Sequence, residues 1–213
     1  TLPGRIAYLQ LLPLSLKELR DSKKIKADYG WHILTGGYPE VIAKKINPAD
    51  WYADYLNTYV ERDVRQLKNI SNLSQFIKLL RLCAGRTGQL LNLTSLSNDC
   101  GIDQKTVAAW LSVLQSSFII YLLKPYHNNF NKRIIKTCKR YFYDTGVACS
   151  LLGITNARHI STHAAKGSLF ENMILSELLK ERLNAGAADN LYYWRDKTGN
   201  EVDIISDKAG RLT

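Results

Sequence analysis

The stretch YYWRDKTGNEVDII, residues 192–205, reads as a strand, a Gly-Asn turn and a second strand. That second strand carries Glu201 and Asp203 among Val202, Ile204 and Ile205. Side chains two apart on a strand share a face. Carboxylates placed there are either solvated at a sheet edge or gathered around a hard divalent cation, which takes oxygen ligands. Ile205 continues the same face, so the pattern leaves Glu201 in solvent beside the turn and sets Asp203 deeper. Upstream, KGSLFENMILSELLKERL has helical spacing, with Phe170, Ile174 and Leu178 in one apolar stripe broadened by Met173, Leu175 and Leu179. Glu171 sits on its shoulder, either as an acid complementing the helix dipole or as the partner of Asp203. As a pair, Glu171 and Asp203 are the candidate catalytic and metal-ligating residues, and the chemistry they suit is Mg²⁺ activating a water for phosphodiester attack.

A second chemistry is suggested by charge. The net charge is +10, and residues 71–145 hold ten basic against three acidic residues. A concentrated positive field suits a polyanion partner, because each neutralised phosphate releases counterions; the alternative is a merely soluble basic surface. In the same region LTSLSNDCGIDQKTVAAWLSVLQSSFIIYLLKPY has helix-turn-helix spacing. Thr94 is the expected cap of a short helix holding Leu96, Gly101 the turn, Ile102 the plug and Asp103 the cap of a second helix with Val107, Leu111 and Leu114 inward. FIIYLLKP and KRYFYD then pair as a β wing, giving a winged helix. Its contact residues are Gln104, Lys105 and Ser112 on the second helix, beside Ala108, and Lys132, Arg133 and Lys136 in the wing loop, with Lys139 and Arg140 adding to that loop. One charge and small side chains on the helix argue against sequence-specific readout. The module binds double-stranded DNA or docks a protein.

These sites need elements to hold them. Ile6–Leu11 reads as a short strand, and Ser15 caps a short helix. Gly36, Gly37 and Pro39 force a loop, Pro48 opens a helix bearing Trp51, Tyr55 and Tyr59 as packing residues, and Glu61–Arg65 is an i,i+4 pair. A further helix from about Ser74 buries Phe76, Leu79, Leu80 and Cys83. The 213 residues are 46% hydrophobic and 23% charged, which suits one large domain or two small ones. No apolar run reaches the roughly 18 residues of a membrane span. Four cysteines without a CxxC pair make neither a disulfide scaffold nor a zinc site, so the expected setting is the cytoplasm. The pattern GxxxxGK[ST] is absent, which excludes a P-loop within these residues.

Helix with Glu, strand, turn, strand with Asp is the order of the restriction-endonuclease-like core, which also needs a Glu-x-Lys on the next strand; only RLT follows here. More broadly, GRIAYLQLLPLSLKEL, GGYPEV, YLNTYVERDV, the winged helix and GSLFENMILSEL…YYWRDKTGNEVDII resemble, in that order, a group of bacterial and archaeal predicted AAA-like ATPases with a C-terminal domain of unknown function. The resemblance implies that residues 1–20 end an ATPase domain, with ATP bound by a missing N-terminal portion and Arg5 near its nucleotide end. It implies an α+β chain: a helical linker over 21–90, a winged helix-turn-helix over 91–145, and a truncated restriction-endonuclease-like α/β module over 146–213. Mg²⁺ belongs to the full-length protein and no cofactor is expected in this stretch. The implied work is binding DNA or a protein partner and coupling that to ATP hydrolysis, with metal-dependent cleavage and pure protein interaction as the other readings.

Overall fold

The structure, a computed structural model, describes residues 9–65, 70, 72–126, 137–208 and 210–213. Short helices fill the first third, each started by local chemistry. Ser15 and Glu18 form a reciprocal capping box on α1 (Leu16–Asp21). Asp28 caps α2 (Tyr29–Thr35), while α3 (Pro39–Lys44) and α4 (Pro48–Thr58) begin on proline, whose fixed φ suits the first turn. The chain then passes through a π-helical turn, Tyr59–Val64, to α5 (Leu73–Gly85). The Glu61–Arg65 pair closes at 2.8 Å.

Next come α6 (Leu93–Cys100) and α7 (Gln104–Ser116). Gly101 joins them at φ 69°, in the left-handed region where a Cβ is costly, and Asp103 accepts from the Thr106 amide to cap α7. The cap of α6 is Asn92 rather than Thr94: its side chain, not that of Thr94, accepts the Ser95 amide at 2.9 Å. Strands β1 (Ile120–Pro125) and β2 (Lys139–Phe142) pair antiparallel. Then α8 (Thr145–Leu151), α9 (Ala157–Ile160) and α10 (Lys166–Asn184) lead to β3 (Leu191–Arg195), β4 (Glu201–Lys208) and β5 (Arg211–Leu212). The result is a mixed α+β chain with one sheet of order β2-β1-β3-β4-β5, in which only β1 and β3 run parallel. The hairpin expected to stand out as a wing is therefore continuous with the strands of the last third.

Alternation along the hairpin sorts the core. Ile120 and Phe142 face the helical side, with Phe76, Leu79, Leu96, Val107, Trp110 and Leu114; Tyr121, Leu123 and Tyr141 face Leu175 and Leu179 of α10. Two expectations fail here. Leu9 and Leu11, the described end of the expected Ile6–Leu11 strand, are exposed and belong to no strand, and residues 6–8 lie outside the described residues. The stripe of α10 is also rotated from the apolar reading: Phe170 and Ile174 are exposed, while Leu169, Asn172, Met173, Ser176, Leu179 and Lys180 are buried. Polar groups win that face because they have backbone to satisfy. Asn172 accepts from the Phe142 amide at 2.8 Å and donates to its carbonyl at 2.7 Å, and Lys180 donates to the Leu14 carbonyl at 3.0 Å.

Candidate functional site

Lys139 and Tyr141 are two apart on β2 and point to the α10 side, where the first turns of α10 bring Glu171. Lys139 Nζ lies 3.3 Å from Glu171 Oε1 and 3.0 Å from Asp203 Oδ1, and it also pairs with Glu201. Tyr141 donates its hydroxyl to the same oxygen of Glu171. Arg195, at the end of β3, adds a second cation to Glu201 at 3.2 Å. The Lys139 side chain is only 4% exposed. Burial opposes its charge, yet hydrogen bonds to Glu201 and Asp203 outweigh that and hold the ammonium above its ordinary pKa. Burial, reinforced by the bond to Glu171, keeps the Tyr141 phenol protonated far above its usual range.

Glu171 and Asp203, the acids singled out from the sequence, thus do converge, and the cation between them is Lys139. The depth assigned to the strand acids is reversed. The Glu201 side chain is 23% exposed against 61% for Asp203, because Glu201 has both Lys139 and Arg195 to enclose it while Asp203 has only Lys139. A divalent ion such as Mg²⁺ needs oxygens at about 2.0–2.1 Å, whereas the focus of these carboxylates is an ammonium at 3.0–3.3 Å. Among the described residues no group of three or more His, Cys, Asp or Glu could hold a metal ion. As arranged, the residues fit the ammonium and not a resident metal.

Lys139 was expected on phosphates, as was Arg140. Both are instead in β2 and buried, on opposite faces. Arg140 donates from Nε to the Arg86 carbonyl at 3.1 Å, and burial lowers its pKa. Two of the five basic residues read as a wing surface are therefore internal. Lys132, Arg133 and Lys136, and also Arg5, lie outside the described residues. On α7, Gln104, Lys105, Ala108 and Ser112 are all exposed, opposite the buried Val107, Trp110, Leu111 and Leu114. Gln104 Nε2 reaches Thr94 Oγ1 at 3.1 Å, tying the two helices across their turn.

Residues 26–158 match the model of a domain of unknown function, DUF8612, which spans most of the chain. The chain belongs to that family. Residues 166–213, which hold Glu171, Glu201 and Asp203, match a second domain of unknown function, DUF4143. Uncharacterized proteins of Mycobacterium tuberculosis and Mycobacterium bovis are each 29% identical over 214 residues, covering 99% of this chain and 46% of their own length. An uncharacterized protein of Haemophilus influenzae is 23% identical over 227 residues, covering 99% of the chain and 52% of its own. The chain thus spans about half the length of the curated relatives it matches. No solved structure matches. No helix among the described residues is long and apolar enough to cross a membrane.

The sequence reading missed Tyr141 and Arg195 as members of the acid cluster. The one available signal was alternation: Lys139 and Tyr141 share a strand face, as do Glu201 and Asp203.

Proposed function

We propose that this chain is the ligand-contacting region of an ATP-dependent protein, touching double-stranded DNA through a winged helix made of α6, α7, β1 and β2. The observation that carries this reading is the outward face of α7. Gln104, Lys105, Ala108 and Ser112 are free of the core, and the small side chains at 108 and 112 allow close approach to a backbone. Lys78, Arg81 and Lys124 add exposed positive charge from the same third of the chain. One lysine among small residues favours phosphate contact over base readout. The link to ATP draws on the match to DUF4143, a domain often found in AAA-like ATPases; the nucleotide would be bound by a portion outside this chain.

An electrophoretic shift assay over a salt series tests this. Affinity should fall steeply with salt, and Lys105→Glu should weaken binding to all sequences alike. Affinity indifferent to salt, or no shift beside capture of a defined protein partner, rejects the DNA reading in favour of protein docking.

A second reading, a metal-dependent nuclease in the longer protein, draws on the convergence of Glu171 and Asp203. It requires Lys139 to leave the carboxylates. Nicking by the longer protein with Mg²⁺ or Mn²⁺, abolished by Asp203→Ala, supports it; intact DNA under those conditions counts against it.

A further inference from the structure

Away from both sites, the loop between α1 and α2 faces the α3–α4 connection across a cavity of about 660 Å³. Its floor is apolar: Trp31 of α2, Val41 and Ile42 of α3, and Ile46. Its rim carries Lys23, Lys24, Lys26 and Lys45, and no Asp or Glu lines it. The ion pairs among the described residues use other cations, so none of these four lysines is engaged in one. Lys26 Nζ stands 4.3 Å from the centre of the Trp31 ring. Lys23 and Lys45 hold φ of 57° and 53°, a left-handed backbone that costs a residue with a Cβ about 1–2 kcal/mol. Both residues close helix C-termini, Lys23 just after α1 and Lys45 at the end of α3, and so set the course of the two loops that wall the cavity. Thr35, which also lines the cavity, is 2% exposed, and its hydroxyl has no hydrogen-bond partner.

We propose that this cavity binds a small phosphate-bearing molecule with a flat apolar body, the class to which nucleoside phosphates belong. Lysine is a compact point charge suited to phosphate oxygens, and the indole with its aliphatic neighbours offers a surface for a planar ring. The volume lies within the roughly 300–1,000 Å³ of small-molecule pockets. A single cleft between two loops suits a compact ligand better than an extended acidic peptide, which needs a groove or a sheet edge.

The test uses the 213-residue chain, which has no P-loop motif to confuse the readout. Tryptophan emission is followed while adenosine triphosphate, inorganic triphosphate or a glutamate-rich decapeptide is added, with Trp31→Phe assigning the signal. Adenosine triphosphate should change the Trp31 emission. Inorganic triphosphate should bind about tenfold more weakly because it leaves the floor bare, and a K24Q/K45Q variant should lose about tenfold in affinity. Both lysines are exposed, so the variant should keep the parent melting temperature. No response to the nucleotide, equal binding of inorganic triphosphate, tighter binding of the peptide, or unchanged affinity in the double variant overturns the proposal.

Discussion

Tyr52 donates its hydroxyl proton to Asp144 Oδ1 at 2.7 Å, joining residues 92 apart in the chain inside the helical core. Asp144 also accepts from the Gly37 amide at 2.8 Å and from the Gly146 amide at 2.8 Å, so one buried carboxylate caps α8 and anchors the Gly36–Gly37 loop to α4. Close packing made this possible. A Cβ on Gly146 would lie 2.2 Å from the Tyr52 ring, and one on Gly37 would lie 2.3 Å from the Leu14 carbonyl.

Removing either partner should be costly, and unequally so. Tyr52→Phe deletes one charge-assisted bond and leaves the carboxylate with its two amides, for a loss of about 1.5–3 kcal/mol. Asp144→Ala orphans both amides and removes a helix cap, so the loss should reach about 3–5 kcal/mol. Urea denaturation of both variants checks the order. A larger effect at Tyr52 would show that packing, not the hydrogen bond, governs this junction.

Asn172 holds the outer edge of β2 through both backbone groups of Phe142. Asn172→Ala should cost about 2–4 kcal/mol, since a donor and an acceptor are left unsatisfied at a fully buried position. Asn172→Leu, which fills the volume with apolar atoms, should not rescue it. Thermal unfolding of the two variants separates loss of volume from loss of hydrogen bonding.

These two junctions show what could be read from the chain and what could not. The cap of α7 by Asp103, the glycine turn before it and the inward Val107, Leu111 and Leu114 are set by neighbours within a turn or two, and they were legible. The buried face of α10 was not, because the partner of Asn172 is a backbone 30 residues away and its polarity mimics a solvated position. Glu171 and Asp203 were legible as a pair on opposite elements. Their cation was not, since only the tertiary fold turns Lys139 inward, and its local neighbours Arg140 and Lys136 suggest a phosphate-binding loop.

The β3–β4 turn should respond to acid. Asp196 accepts from the Thr198 and Asn200 amides at 2.9 and 3.0 Å and from both their side chains, and its pKa is drawn down to about 2, chiefly by the side chains of Asn200 and Thr198. A folded-state value below the ordinary 3.8 means the stabilisation is present above about pH 4 and is lost as pH falls through about 2. Carboxyl chemical shifts followed by NMR should place this midpoint well below those of solvated aspartates. Asp196→Asn should remove the acid dependence of the Thr198 and Asn200 amide shifts.

Lys139 supplies the sharpest contrast between the readings of the acid cluster. Lys139→Ala leaves Glu171, Glu201 and Asp203 facing one another with only Arg195 near Glu201. Breaking a fully buried pair costs about 3–5 kcal/mol. Here Asp203 is 61% exposed and water screens it, so about 2 kcal/mol is the expected loss. With the ammonium gone, the carboxylates become free to take a hard cation. Millimolar Mn²⁺ should then raise the melting temperature of Lys139→Ala by the ordinary linkage between binding and folding, and leave the parent chain unchanged. Adding Asp203→Asn to Lys139→Ala should diminish the Mn²⁺ response. A parent chain that itself gains stability from Mn²⁺ would show that Lys139 yields its place readily, which is what the nuclease reading requires. Indifference of both proteins would mean that these acids are built for the lysine alone.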